Sequence, residues 1–349
     1  MLHRREFIGT VGGVCIAFGG GAQVWARPED PLDWQCDVIQ TQAHGPQNRA
    51  PVVTGVSLQP GGDQLAVVGD DHFISIFDLK KGRFTKDLRA HQDWVQAARF
   101  SGDGQILATA GNDRQLLLWN SADWNQTPAQ VVHDEAIFDL AFSHDSKRIA
   151  TVGFDRLLRV FDRATGESIE ELDCQTEDIR AVAFSPDDQH LVAGGRSGEL
   201  LIWNLAQSKK PTRVKVHRRR IRSLTINQAG RIISCGDDQQ VKVTVLSHPS
   251  RQRTLPRHGA KLYALTALPS NVLATGGSDN RIHLWRLSDS ESLGTLRGHT
   301  GTVSCLDFQN GRLVSGGYDT QVRVWNIKRD FVASLRNTNP SGRWNGKLK

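Results

Sequence analysis

The chain has 349 residues, 38% of them apolar and 23% charged, which rules out a disordered chain and leaves one large all-β domain or two average ones. Thirty-three glycines against a single methionine suit many tight turns better than long helices. The formal charge of +6 sits at the ends, because residues 328–349 hold six Lys/Arg against Asp330 and residues 1–26 hold Arg4 and Arg5 against Glu6; the body between is neutral, a composition that argues against nucleic-acid binding.

Residues 1–26 place Arg4 and Arg5 before a short, glycine-rich apolar run that ends in Val24-Trp25-Ala26, an A-x-A-like cleavage site. The run is too short and too rich in glycine to be a good membrane span, so no transmembrane segment is expected after its removal. Arg4-Arg5-Glu6-Phe7-Ile8 resembles the twin-arginine export signal, R-R-x-F-apolar. That resemblance implies a bacterial protein exported already folded, to the periplasm or beyond. Cys15 does not make a lipoprotein signal, because Gly12 stands where such a signal has leucine. The later cysteines, Cys36, Cys174, Cys235 and Cys305, have no C-x-x-C spacing. They are expected as separate thiols rather than as a disulfide framework or a metal site.

From residue 44 onward the sequence repeats. Ser101–Asn120 (SGDGQILATAGNDRQLLLWN), Ser185–Asn204 (SPDDQHLVAGGRSGELLIWN) and Leu273–Arg286 (LATGGSDNRIHLWR) align on a Gly-x-Asp or equivalent turn, followed six residues later by an aromatic residue. The turn position holds Asp71, Asp113, Asp155, Ser197, Asp238, Asp279 and Asp319. The later position holds Phe77, Trp119, Phe161, Trp203, Thr244, Trp285 and Trp325. His44, His91, His133, His217, His258 and His299 precede their units, Gln175 fills the fourth register, and the spacings from His91 are 42, 42, 42, 41 and 41. Runs such as Val-Gln-Ala-Ala-Arg-Phe and Gln-Leu-Leu-Leu-Trp are strand-length, rich in β-formers and separated by Gly/Asp/Asn turns.

The period and the linked His, Gly-x-Asp and Trp positions resemble the WD-repeat family of β-propellers over about residues 35–336. The resemblance implies an all-β, seven-bladed β-propeller of four-stranded antiparallel blades. The blades are expected near 44–88, 89–131, 132–173, 174–215, 216–256, 257–297 and 298–336, with 337–349 as a basic flexible tail. Six connections supply an outer strand and the seventh blade needs one from elsewhere. Val38–Gln42 is the favoured closing strand, and Phe331–Leu335 competes for the same place.

The resemblance also implies a buried relay in each blade, in which the His, a Ser/Thr of the second strand, the turn Asp and the Trp are hydrogen-bonded. The matching positions are His91, Thr109, Asp113 and Trp119; His133, Thr151 and Asp155; His217, Ser234 and Asp238; His258, Thr275, Asp279 and Trp285; and His299, Ser315, Asp319 and Trp325. Such groups recur around the ring and converge on no cleft, so they read as structure rather than as a catalytic triad. No P-loop, G-x-G-x-x-G, G-x-S-x-G or H-E-x-x-H pattern occurs, and no cofactor or metal is expected.

In this family the residues flanking the first apolar residue of the inner strand, and the residue before the turn Asp, face the mouth of the central channel. Those registers, with the loop arginines, give a candidate top face of Trp94, Phe138, Phe154, Arg180, Arg196, Arg218, Arg219, Arg220, Arg222, Lys261, Tyr263 and Tyr318. It reads as cationic over blades 4 to 6 and aromatic elsewhere, the composition of a binding hot spot. The expected function is a monomeric, non-enzymatic scaffold for a protein or peptide with an acidic surface, with no nucleic-acid partner. The alternatives are an exported propeller hydrolase or lyase with its site at the channel mouth, and a binder of envelope polymers or anionic glycans through the tail.

Overall fold

The structure, a computed structural model, describes residues 34–44, 49–207 and 209–327. Among them, twenty-eight strands form seven antiparallel four-stranded sheets. Blade 1 runs from inner to outer edge as Val53–Leu58, Gln64–Gly69, Phe73–Asp78 and Arg83–Arg89, and blades 2 to 6 repeat that order along the chain. Each inner strand touches the inner strands of both neighbouring blades, and Val53–Leu58 touches Val303–Gln309, so the seven sheets close into a ring. The residues before 34, residues 45–48 and 208, and those after 327 lie outside the described residues. They include the proposed signal, the competing strand at 331–335 and the basic tail.

Burial explains the sequence pattern of each strand. The second and third strands are covered on both faces by neighbouring blades, so they are continuous apolar runs, as in Ile106–Gly111 and Gln115–Asn120. The outer strand has one covered face at most, and Arg83–Arg89 accordingly alternates exposed and covered residues. The core is divided into seven clusters, one at each junction between blades; that between blades 1 and 2 joins Val68, Ile74 and Ile76 to Val95, Leu107 and Trp119. No blade can bury its own faces alone, so stability depends on the stack.

The ring is closed by the N-terminal strand. Cys36–Gln40 pairs antiparallel with Gln321–Asn326, with Cys36 opposite Trp325 and Gln40 opposite Gln321. The strand therefore begins and ends two residues earlier than Val38–Gln42, because Ile39 is the residue that turns inward to the core between blades 7 and 1. Thr41 continues the seal by donating its hydroxyl to the Thr320 carbonyl at 2.7 Å. At the same junction the half-buried Asp307 carboxyl group accepts the Leu58 amide at 2.7 Å, a direct bond between inner strands of two blades.

The glycine ahead of each turn has a steric cause. A Cβ on Gly111, Gly153, Gly195, Gly236 or Gly277 would lie 2.0–2.3 Å from the carbonyl oxygen of the residue just before the inner strand. That same carbonyl accepts the amide of the residue after the glycine, in all seven blades, at 2.9–3.3 Å. Only glycine lets the two segments meet. Gly153→Ala is therefore expected to cost about 2–3 kcal/mol, since the clash is with backbone. Gly230→Ala, at φ +65° in open space, should cost only about 1 kcal/mol. Urea midpoints measure both, and equal losses would contradict the close-approach explanation.

Candidate functional site at the top of the ring

The top is the end of the ring where the loops before the inner strands meet the Gly-x-Asp turns, and the relay holds the two together. In blade 2 His91 Nδ1 lies 2.9–3.0 Å from both Asp113 oxygens, and Nε2 lies 2.8 Å from Thr109 Oγ1, which also accepts Trp119 Nε1 at 3.0 Å. Blade 7 repeats the arrangement through His299, Asp319, Ser315 and Trp325 at 2.7–3.0 Å. Blade 5 does so through His217, Asp238 and Ser234 at 2.9–3.0 Å, with Thr244 in place of the Trp. In each of the three, the Asp also accepts the amide of the residue after the His: Gln92, Arg218 or Thr300, at 2.9–3.0 Å. Burial raises the Asp113 carboxyl, but the His91 ring and the Gln92 and Gln115 amides outweigh it and hold the group below the usual carboxylate range.

Blades 3 and 6 depart from the expected relay. Arg159 takes Asp155 away from His133 and also bonds Asp134 at 2.9 Å and Glu171 at 3.2 Å. His133 keeps two long contacts, Nε2 to Thr151 at 3.5 Å and Nδ1 to the Arg159 guanidinium at 3.4 Å. In blade 6 His283 Nε2 holds Asp279 at 2.6 Å, and neither ring nitrogen of His258 has a hydrogen-bond partner. Thr275 still accepts Trp285 Nε1 at 3.2 Å. In both blades a basic side chain four residues after the turn Asp reaches it along the same strand, and in blade 3 a permanently charged guanidinium makes a stronger bond than a neutral imidazole. The offset alone does not decide the outcome, because Lys242 and Arg323 hold the same place in blades 5 and 7 and bond instead to Thr254 and to the Gly298 carbonyl. Blade 1 has a His–Asp pair of its own, His44 Nδ1 to Asp71 at 2.8 Å, with the imidazole stacked on Phe73.

The mouth of the channel is built by the bulge that the carbonyl–amide contact forces. In every blade the pairing shifts between the first and third residues of the inner strand, so the second is left unpaired. Those second residues include Phe138, Arg180, Arg222 and Tyr263. The same contact sets the residue before the strand beside the residue before the turn Asp: Trp94 beside Asn112, Ala136 beside Phe154, Asp178 beside Arg196, Arg220 beside Asp237, Thr302 beside Tyr318. Trp94, Phe154 and Tyr318 stand 45%, 51% and 54% exposed, three of the six large apolar side chains that are exposed among the described residues.

The arginines divide into two groups. Arg180 and Arg220 both bond Asp178, the latter at 2.6 Å, and Arg180 also lies 3.4 Å over the Phe138 ring. Arg222 grips Asp237 with two bonds of 2.9 and 3.2 Å beneath Tyr263. These three are half-buried and their charge is largely met by Asp178 and Asp237, so the centre of the mouth is less cationic than the arginine count implies. Arg196, Arg218, Arg219 and Lys261 are exposed, and they carry the free charge of blades 4 to 6. Asp178, the residue before the inner strand of blade 4, is the hub of two guanidiniums. Its backbone, at φ 62°, adopts the left-handed conformation that Asp tolerates better than most residues.

The Nucleolar protein 10-like, N-terminal domain family matches residues 52–256, more than half of the chain, and the WD domain, G-beta repeat matches residues 249–286 and 290–326. Among similar proteins, Mitochondrial division protein 1 of Mycosarcoma maydis is 34% identical over 24% of this chain and 11% of its own length. The U3 snoRNP-associated protein-like EMB2271 of Arabidopsis thaliana is 38% identical over 22% of this chain and 17% of its own. Small ribosomal subunit protein RACK1 of Drosophila melanogaster is 32% identical over 30% of this chain and 34% of its own. The chain thus spans a third or less, or little more, of the relatives it matches. These findings correct the expected localisation: the family and relatives are those of eukaryotic proteins named for the nucleolus, the mitochondrion and the small ribosomal subunit, not of bacterial exported propellers.

Burial pushes His133 down to about 4, helped by Arg159, and pushes His258 down to about 3, helped by His283. An unfolded histidine titrates at the ordinary 6.5, so the stability tied to these rings is complete above that pH and is lost as pH falls towards the folded-state values. Between pH 7 and 5, His258→Phe is expected to lose about 1–2 kcal/mol less stability than the unaltered chain. Urea midpoints at the two pH values measure this, and parallel acid losses would contradict it.

Proposed function

We propose, because the chain belongs to the WD-repeat β-propeller family through the Nucleolar protein 10-like N-terminal domain, that it is a rigid, non-catalytic platform binding a protein or peptide partner on its top face. Propellers of this family typically serve as protein-interaction scaffolds. The observation that carries the reading is the placement of Trp94, Phe154 and Tyr318. Each is fixed at its base by the carbonyl–amide contact of its own blade and yet exposes about half of its ring on one rim. Aromatic side chains held in place lose little freedom on binding, which makes them effective anchors.

The charge on the rim gives the partner a polarity. Its apolar anchors belong over blades 2, 3 and 7, and its acidic groups over Arg196, Arg218, Arg219 and Lys261 on blades 4 to 6. A binding role also accounts for the carboxylates of the mouth better than hydrolase or lyase chemistry does. Asp70 is held by Arg49 at 2.6 Å, Asp178 by Arg180 and Arg220, and Asp237 by Arg222. A carboxylate held in an ion pair is a poor general acid or base, and these three stand on blades 1, 4 and 5, apart around the ring.

Photocrosslinking tests the reading. A p-benzoylphenylalanine placed at Trp94, Phe154 or Tyr318 in cells is expected to trap one common partner, while the same group at Val132 or Ile169, exposed on the outer strands, traps none. Equal trapping from the outer strands, or none from the rim, would remove the top face as the binding surface.

A further inference from the structure

The neutral average of the body conceals a strongly basic segment. Residues 205–261 hold fourteen Lys/Arg against only Asp237 and Asp238. Several of these cations are spoken for: Arg213 bonds Glu199 at 2.6 Å, Arg220 bonds Asp178 at 2.6 Å and Arg222 bonds Asp237 at 2.9 Å. Arg218, Arg219 and Arg257 differ. Among the described residues none of the three guanidiniums has an ion pair, and all three line one concavity of about 290 Å³ on the top rim of blade 5, together with Gln239 and Gln240. The two acids that also line it are already taken, Asp237 by Arg222 and Asp238 by the relay His217.

The concavity is held in shape from below. The Arg218 amide donates to Asp238 at 3.0 Å, which fixes the arginine loop to the relay. The Arg219 carbonyl lies so close to Gly198 that a Cβ there would come within 2.6 Å of it, so the loop is seated against blade 4. The His258 amide donates to the Gln239 carbonyl at 3.1 Å and ties the segment carrying Arg257 to the same turn. The backbone that carries the three arginines is thereby fixed around one concavity, and the ordering cost of assembling them on a ligand is reduced.

We propose that this concavity is a phosphate subsite, and that the partner of the top face places a phosphorylated side chain in it; the proposal rests on the platform reading above. A phosphate monoester carries a charge of about −1.5 to −2 and three acceptor oxygens, which suit three guanidinium forks and two amide donors. A carboxylate, with a single charge and two oxygens, leaves guanidinium charge unmet. A nucleic-acid strand fits less well, because it needs a track of cations interleaved with stacking rings. Here the exposed rings lie on blades 2, 3 and 7, and the rest of the rim carries the exposed acids Asp93, Asp134, Glu135 and Glu177.

Isothermal titration of the full chain with O-phosphoserine and with inorganic phosphate tests the subsite, with glutamate at matched ionic strength as the carboxylate arm. Both phosphate probes are expected to bind saturably and more tightly than glutamate. Arg219→Gln with Arg257→Gln should weaken them about tenfold, while Arg231→Gln on the same blade leaves them unchanged and thermal melting shows all variants folded. Equal binding by the double variant, or glutamate bound as well as phosphate, would overturn the proposal. So would a single-stranded RNA of about ten nucleotides that loses affinity on both the double variant and Trp94→Ala, since that pattern assigns the surface to nucleic acid. Rim crosslinks that persist without phosphate binding would leave the platform standing and remove only the phosphate.

Discussion

Seven times around the ring, the carbonyl ahead of an inner strand lies flat against a glycine and accepts the next amide. That contact is the constraint from which the top of the molecule follows. It admits no side chain at the glycine, it forces the extra inner-strand residue that turns towards the channel, and it brings two loops of each blade together. The His–Asp relay then ties the start of one loop to the end of the other. Placement of the rim side chains is therefore a backbone property, repeated by geometry, while their chemistry varies from blade to blade.

The relay itself is less uniform than its spacing suggests. In blades 2, 5 and 7 the imidazole keeps the carboxylate, although Lys242 and Arg323 stand four positions beyond the turn Asp in the last two. In blades 3 and 6 the carboxylate turns to Arg159 or His283 at that position, and the relay histidine is left as a buried, weakly partnered ring. Architecture survives because the turn Asp remains satisfied in either case. What changes is acid sensitivity, since a buried imidazole without an acceptor opposes its own protonation.

Much of this was legible in the chain alone. Period, strand runs and the need for a borrowed closing strand all follow from repeated residues and from the inability of a single blade to bury two faces, and Ile39 and its neighbours supply that strand. The mouth registers were expected from the resemblance to WD-repeat propellers, and the bulge and glycine contact that recur in each blade give those positions a common backbone setting. Side-chain competition was not. Whether Arg180 presents its charge or spends it on Asp178 depends on an unusual backbone conformation at Asp178 and on the Phe138 ring beneath the guanidinium, neither of which any spacing encodes. Averages misled as well: a neutral body says nothing of fourteen cations gathered in and beside one blade. The expectation of bacterial export failed for a different reason, in that it rested on the first 26 residues and on no feature of the propeller that follows.

A platform of this kind works only if its rim is as rigid as its sheets. Amide hydrogen exchange at Asp70, Asn112, Phe154, Arg196, Asp237, Ser278 and Tyr318 reports on that directly, because each of these amides is the donor in the constraining contact. The account predicts protection equal to that of the buried middle strands, lost only on global unfolding. Exchange at the rate of open loops would contradict it.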